Sequence, residues 1–139
     1  MKIAVASDEK TPLTEFVVEE LRKRGHEVIL IGPLGGEDAR WADAGLELGR
    51  IVSEGKAQLG VGFCWTGTGM SIAANKVPGV RAALCFDKQT SEGARRWNDA
   101  NVLVMSLRAT SLEVAREMLD AFLNTKPDPG EADQIKKVS

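Results

Sequence analysis

Leu59-Gly60-Val61-Gly62-Phe63-Cys64-Trp65-Thr66-Gly67-Thr68-Gly69-Met70-Ser71-Ile72-Ala73-Ala74-Asn75 is the stretch on which the fold turns. Leu59 to Phe63 shows none of the polar alternation of a strand wetted on one face, so it reads as a strand covered on both. Gly67 and Gly69 then allow a tight backbone path. Met70 to Asn75 reads as a short helix that stops before Pro78-Gly79. A buried strand, a glycine turn and a helix in succession make one βα unit of a parallel sheet.

The same unit recurs on either side. Apolar runs at Ile3 to Ala6, Val28 to Ile31, Arg81 to Cys85 and Val102 to Met105 read as four more strands. Thr11-Pro12-Leu13-Thr14-Glu15 opens a helix with Thr11 as N-cap and Pro12 at its first position; Phe16, Val17 and Leu21 form its stripe and Gly25 stops it. Further helices are predicted over Asp43 to Ser53, Lys88 to Trp97 and Ser111 to Leu123. The last has Ser111 as N-cap and Leu112, Ala115, Met118, Leu119 and Phe122 on one stripe. Five βα units in series, joined by right-handed crossovers, predict an α/β protein, a three-layer αβα sandwich around a five-stranded parallel, Rossmann-like sheet. Lys126-Pro127-Asp128-Pro129-Gly130 breaks the pattern. The expected organisation is one domain over residues 1–125 and a C-terminal arm over 126–139, either a tail or a partner-docking element.

Composition narrows the function. The chain has 139 residues, with 18 Lys+Arg against 20 Asp+Glu, two Cys and one His. A chain of this length buries roughly 68% of its unfolded surface, enough to stand on packing alone. A net charge of -2 without a basic run lacks the electrostatic footprint of a nucleic-acid binder. No window approaches the roughly 18 apolar residues of a membrane helix, and the apolar start is too short for a signal peptide. The expectation is a cytoplasmic protein that binds neither nucleic acid nor membrane. Cys64 and Cys85 have neither CxxC spacing nor a His partner, so no metal is expected. A dinucleotide fingerprint would need glycine at Ile72, and the Gly-Lys-Ser/Thr of a P-loop is absent, so no nucleotide cofactor is expected either.

In open parallel sheets, ligands bind beyond the carboxyl ends of the strands. Those ends are Ser7-Asp8-Glu9-Lys10, Cys64 to Gly69, Phe86-Asp87 and Ser106-Leu107-Arg108. Cys64 stands before the glycine turn, where a helix N-terminus can favour a thiolate and converging N–H groups can hold an anion or a developing oxyanion. The plainer alternatives are a tight strand-to-helix turn and a buried structural cysteine. Asp8 is an acid, a base or an acceptor for a ligand hydroxyl, or else a helix cap. Cys85 reads as structural and His26 as a surface turn residue. Arg95-Arg96-Trp97-Asn98-Asp99 puts charge and an amide ahead of the last strand, or is an ordinary helix end.

The run from Cys64 to Lys76 resembles the ribose-5-phosphate isomerase type B and galactose-6-phosphate isomerase family. Ser7-Asp8, Val80-Arg81-Ala82-Ala83-Leu84-Cys85, Asn98-Asp99-Ala100-Asn101-Val102-Leu103 and Phe122-Leu123-Asn124-Thr125 extend the likeness from Met1 to about Thr125. The resemblance implies a metal-free aldose-ketose isomerase that works through an enediolate, in a homodimer with active sites shared between subunits. It implies Cys64 as the residue that moves the proton between adjacent carbons. Thr66 and the amides from Gly67 through Thr68 and Gly69 to Met70 would hold the enediolate oxygens. Asp8 would lie near the sugar hydroxyls, with Glu9 and Lys10 beside it, and Asn98 would come from the neighbouring subunit.

The departures from the family pattern carry information of their own. Glu9, Phe86 and Trp97 stand where the family commonly has histidine, and the imidazole replaced by Trp97 is the one associated with opening a cyclic sugar. The arm reads Gly130-Glu131-Ala132-Asp133-Gln134-Ile135-Lys136-Lys137 where the family holds phosphate with Arg and His. Lys10, Arg95, Lys136 or Lys137 are the cations left to serve instead. Trp65 and Trp97 bring rings on which the C–H face of a sugar packs well. The expected function is isomerisation of a short, acyclic or otherwise unusual sugar or sugar phosphate, not the usual ribose 5-phosphate. The alternative is a catalytically silent relative that binds a sugar or metabolite and regulates another process.

Overall fold

The predicted strands form as β1 (Lys2–Ser7), β2 (Glu27–Ile31), β3 (Leu59–Cys64), β4 (Ala82–Leu84) and β5 (Val102–Ser106) in a computed structural model that describes residues 1–139. They make one sheet in the order β2-β1-β3-β5-β4, and all neighbours run parallel. The helices are α1 (Pro12–Lys23), α2 (Trp41–Ser53), α3 (Thr68–Asn75), α4 (Lys88–Asn98), α5 (Leu112–Asn124) and α6 (Ala132–Lys137). None is long and apolar enough to cross a membrane.

The nearly continuous apolar strands have the reason expected of them. One core joins Ile3, Val5, Val61, Phe63, Leu103 and Met105 of the sheet to α1, α4 and α5. The other joins Ala4, Ala6, Val102 and Val104 to α2 and α3. Successive side chains of a strand point to opposite faces, so each apolar residue finds a helix on its own side. The two faces differ in size: in β1 and β3, Ile, Val and Phe face α1, α4 and α5, whereas Ala4, Ala6, Gly60 and Gly62 leave room for α2 and α3. A Cβ on Gly62 would lie 2.7 Å from Met70 Cγ and 3.0 Å from Leu48 Cδ2. Gly45 of α2 similarly admits Ala73 of α3, its absent Cβ lying 2.6 Å from that methyl.

Local capping matches the sequence where the signals are side chains. Thr11 Oγ1 accepts from Thr14 N, and Thr14 Oγ1 in turn accepts from Thr11 N, a closed capping box. Asp87 caps α4 through Thr90 N, and Ser111 caps α5 through Val114 N. Where the cap is backbone geometry alone, the reading falls short. Helix α2 begins at Trp41, two residues before the predicted Asp43, because its N-cap Arg40 makes no side-chain hydrogen bond. Helix α3 begins at Thr68 rather than Met70, because its cap is Gly67 in the left-handed region at φ 83°. A 3₁₀ turn over Gly32–Gly35 was not anticipated.

Strand β4 is an edge strand of three residues. The Asn75 carboxamide pairs with it like a strand residue: Nδ2 donates to Ala82 O at 2.9 Å and Oδ1 accepts from Ala82 N at 2.7 Å. Beyond α5 the arm is folded, not a bare tail. Asp128 N donates to Arg96 O at 2.7 Å, a 3₁₀ turn follows over Pro129–Glu131, and α6 rests against α4.

The small side of the sheet has a measurable consequence. Gly62→Ala should lower unfolding stability by about 1–3 kcal/mol through overpacking against Met70 and Leu48. A denaturant titration followed by circular dichroism checks this, and an unchanged midpoint would mean that α3 does not press on β3 as described.

Candidate active site

Parallel register lines up the ends of three strands. Ser7 pairs with Phe63 and Cys64 with Ser106, so Asp8, Cys64 and Ser106 form a row at the carboxyl edge of the sheet. The turn that follows Cys64 is tied down along its backbone. Cys64 O accepts from Leu107 N at 3.0 Å, and Trp65 O accepts from Arg108 N at 3.1 Å. Trp65 O also accepts from Ser106 Oγ at 2.9 Å. The polypeptide between β3 and α3 is thus held to the end of β5.

Gly67 makes the reversal. It sits at φ 83°, where an L side chain is strained, and a Cβ there would lie 2.5 Å from Leu84 Cδ1 and 3.3 Å from the backbone of Met105. Only glycine meets both demands. The reversal directs the first amides of α3 back toward β3. Met70 N donates to Cys64 Sγ at 3.5 Å, and that contact is buried. These amides have no helical acceptor of their own and carry the positive end of the helix dipole. Thr66 Oγ1 and Thr68 Oγ1 lie 2.8 Å apart on the exposed side.

Asp8 lies on the neighbouring strand end. Ser7 Oγ bends the chain there, donating to Glu9 O at 2.6 Å and accepting from Glu9 N at 3.1 Å. Asp8 is not the cap of α1, a role taken by Thr11. Its Oδ1 is buried with no hydrogen-bond partner, a costly arrangement for an oxygen that nothing else will meet. The cavity there is lined by Asp8, Pro33, Asp38, Ala39, Arg40 and Asp43. No group of three or more His, Cys, Asp or Glu side chains is close enough to hold a metal ion.

The two cysteines part company. Cys64 belongs to the core on the α2 and α3 side, and Cys85 to the core on the α1, α4 and α5 side, so the sheet separates them. Both are free thiols. Burial first, and the nearby Asp87 carboxylate second, push the Cys85 thiol up to about 12. That agrees with a structural reading. His26 sits in the turn after α1 with Nδ1 3.2 Å from the N-terminal amine, far from the row of strand ends.

Several candidates do not join this turn. Lys10 pairs with Glu15 at 3.6 Å and lines a separate groove with Thr14, Val18, Arg22, Leu30 and Leu34. Glu9 is exposed, its backbone engaged by Ser7. Trp97 and Asn98 end α4 at the amino edge of the sheet, because a crossover helix returns antiparallel to its strands. Trp97 folds back onto its own helix, where a Cβ on Gly93 would lie 2.7 Å from its ring. Arg95, one of the cations expected to serve a phosphate, is already engaged. It donates to Asp99 Oδ1 at 2.8 Å and Ala100 O at 2.7 Å and lies 5.6 Å from the Phe122 ring centroid. Lys136 and Lys137 are exposed on α6.

Two further residues stand at the turn: Arg108, which the sequence places at a strand end without a role, and Trp41. Arg108 is exposed, and its amide is bonded to the turn itself. Trp41 packs on Gly69 from the start of α2, Cε3 lying 2.7 Å from where a Cβ would stand. A strand-end position was the available signal for Arg108. For Trp41 there was none, since 28 positions separate it from Gly69 along the chain.

A family model described as Ribose/Galactose Isomerase matches residues 3–138. Ribose-5-phosphate isomerase B of Escherichia coli is 35% identical over 122 residues, 88% of this chain and 82% of its own. D-erythrulose-4-phosphate isomerase of Pectobacterium atrosepticum is 36% identical over 104 residues, 74% of this chain and 68% of its own. Among solved structures, Clostridium thermocellum ribose-5-phosphate isomerase B superposes with a TM-score of 0.93 at 37% identity, over 99% of this chain and 95% of that one.

The Cys85 environment sets a pH dependence. An unfolded thiol ionises near its ordinary 9.0 and the folded one near 12, so between these values the unfolded state releases a proton that the folded state keeps. The stability contribution is intact below pH 9 and lost as pH rises toward 12. Thermal melts should show the wild type losing stability over that window relative to Cys85→Ala. Parallel curves would refute the burial.

Proposed function

This chain belongs to the ribose/galactose isomerase family and is a sugar-phosphate isomerase; we propose that it interconverts the aldose and ketose forms of a short, acyclic sugar phosphate with Cys64 as its base. The observation that carries the reading is the 3.5 Å contact from Met70 N–H to Cys64 Sγ. It sets a sulfur beside the amides best able to meet a developing negative charge.

A proton on carbon next to a carbonyl is weakly acidic, and its removal needs a base and oxyanion donors together. The Cys64 thiolate takes that proton, and the electrons move onto the carbonyl oxygen to give an enediolate. The amides from Gly67 to Met70 and the Thr66 hydroxyl stabilise its oxygens. The thiol then returns the proton to the former carbonyl carbon, while the hydroxyl proton crosses between the two oxygens by way of Thr66 and Thr68. Only hydrogen positions change, and the thiolate is regenerated. Removing one donor from such a hole typically costs about 2.7–4 kcal/mol of barrier. The orphaned Oδ1 of Asp8 suits a sugar hydroxyl, which brings the missing donor.

Substrate length follows from what the site lacks. Glu9, Phe86 and Trp97 leave no imidazole to open a ring. One relative is named for D-erythrulose 4-phosphate, a four-carbon ketose whose terminal oxygen is phosphorylated and which therefore cannot close a furanose. A substrate of that class needs no ring opening. Trp65 offers a stacking face, and Arg108, exposed with its amide bonded to Trp65 O, is the cation proposed to take the phosphate. Glu9, exposed beside Asp8, is a hydroxyl acceptor at the mouth, whereas Lys10 is better explained by its pairing with Glu15.

A homodimer with shared sites belongs to the same proposal. Trp97 and Asn98 lie at the edge of the sheet opposite Cys64, so they meet a Cys64 turn only in a second copy. The face beyond β4 supports this, exposing Ile72 of α3 and Trp97 of α4. The arm over 126–139, bonded to Arg96 O of α4 through Asp128 N, would travel with α4, distinct from the domain over 1–125. A charged sugar phosphate stays in the compartment that makes it, so a cytoplasmic setting completes the reading.

Incubation in deuterium oxide with aldose and ketose phosphates of three to six carbons, followed by NMR at C1 and C2, tests the reaction. Wild type should exchange and convert a short substrate. Cys64→Ser should lose about 10²-fold or more. Absence of exchange with every sugar, or equal exchange in the variant, would sink the reading; a sugar-dependent melting shift without turnover would favour binding alone.

A further inference from the structure

We propose that Trp41 is the residue that limits substrate length in this site, an inference that rests on the Cys64 turn being the isomerase centre. Trp41 opens α2 with its indole against Gly69, and the position of an absent Gly69 Cβ lies 2.7, 2.9 and 3.2 Å from Cε3, Cδ2 and Cζ3. Three adjacent ring atoms thus cover the side of Gly69 from which a side chain would project. Gly69 immediately precedes Met70, the donor to Cys64 Sγ. The ring therefore stands one residue from the hydrogen bond that defines the site.

The first turn of α2 reaches the other half of the site as well. Arg40 and Asp43 line the cavity of about 350 Å³ that also contains Asp8, whose Oδ1 is the buried oxygen without a partner. Trp41 lies between these two residues in sequence and faces the glycine turn. The start of α2 consequently forms a wall from the Asp8 cavity to the amides of α3.

Trp41 belongs to neither core of the sheet. Helix α2 is anchored by Ala44, Leu48 and Val52, while Trp41 remains 42% exposed. The part of the ring left in water offers a rigid face to the C–H groups of a sugar. In the proposed role its bulk, beside Gly69, stands in the path of a longer carbon chain. Fitting or excluding one methylene in an apolar pocket changes kcat/KM by about 10–200-fold.

The experiment compares kcat/KM for tetrose, pentose and hexose phosphates in wild type, Trp41→Phe and Trp41→Ala. Trp41→Ala should raise the pentose-to-tetrose ratio at least tenfold, with Trp41→Phe between the two. Trp41→Phe keeps a ring on Gly69 and reads the effect even where the alanine variant does not fold. A ratio within twofold of wild type, or a parallel loss on all substrates, would overturn the role of Trp41 and leave the isomerase intact. No turnover by wild type with any sugar would overturn the isomerase reading, and this inference with it.

Discussion

The contact between the Met70 amide and the Cys64 sulfur depends on a backbone reversal that one residue permits. Gly67 adopts a left-handed conformation against Leu84 and Met105, in a space with no room for a Cβ. Without that reversal, the first turn of α3 would not face β3, and its unsatisfied N–H groups would point into solvent. The reversal also brings Gly69 under Trp41 and Thr66 beside Thr68. Sulfur, amides, hydroxyls and ring meet at one point because the chain doubles back there.

The small face of the sheet makes this geometry possible. Helix α3 must lie close to β3 for its amino end to meet the Cys64 side chain, and Gly60 and Gly62 remove the side chains that would hold α2 and α3 away. Gly45 in α2 lets the two helices approach each other. The larger residues of β1 and β3 face the opposite side, where α1, α4 and α5 stand over a bulkier core. The alternation of small and large along these strands divides the protein into a side on which α3 approaches Cys64 and a side that holds the bulkier core.

The amino edge of the sheet is organised differently. Asp99, at φ 47°, accepts from Arg81 at 3.4 Å and from Arg95 at 2.8 Å. Arg81 Nε also donates to Asp99 O at 2.8 Å. This network secures the end of α4, from which Trp97 projects, and Arg81 reaches the Ser139 hydroxyl at 3.0 Å. Its arginines are engaged in holding the backbone. The carboxyl edge carries a different arginine, Arg108, whose amide is bonded to the Cys64 turn.

Local sequence determined the five strands, the order of the helices, the side-chain caps at Thr11 and Ser111 and the glycine reversal after Cys64. Each depends on neighbours a few residues away: apolar runs, a hydroxyl before a helix, glycine where the backbone must reverse. Tertiary structure decided which strand ends stand side by side. It showed that Trp97 and Asn98 face away from Cys64 within their own chain, and that Trp41 covers Gly69. Contacts of this kind join residues tens of positions apart, and they are fixed by sheet order and by the approach of helices to it. No spacing in the sequence records them.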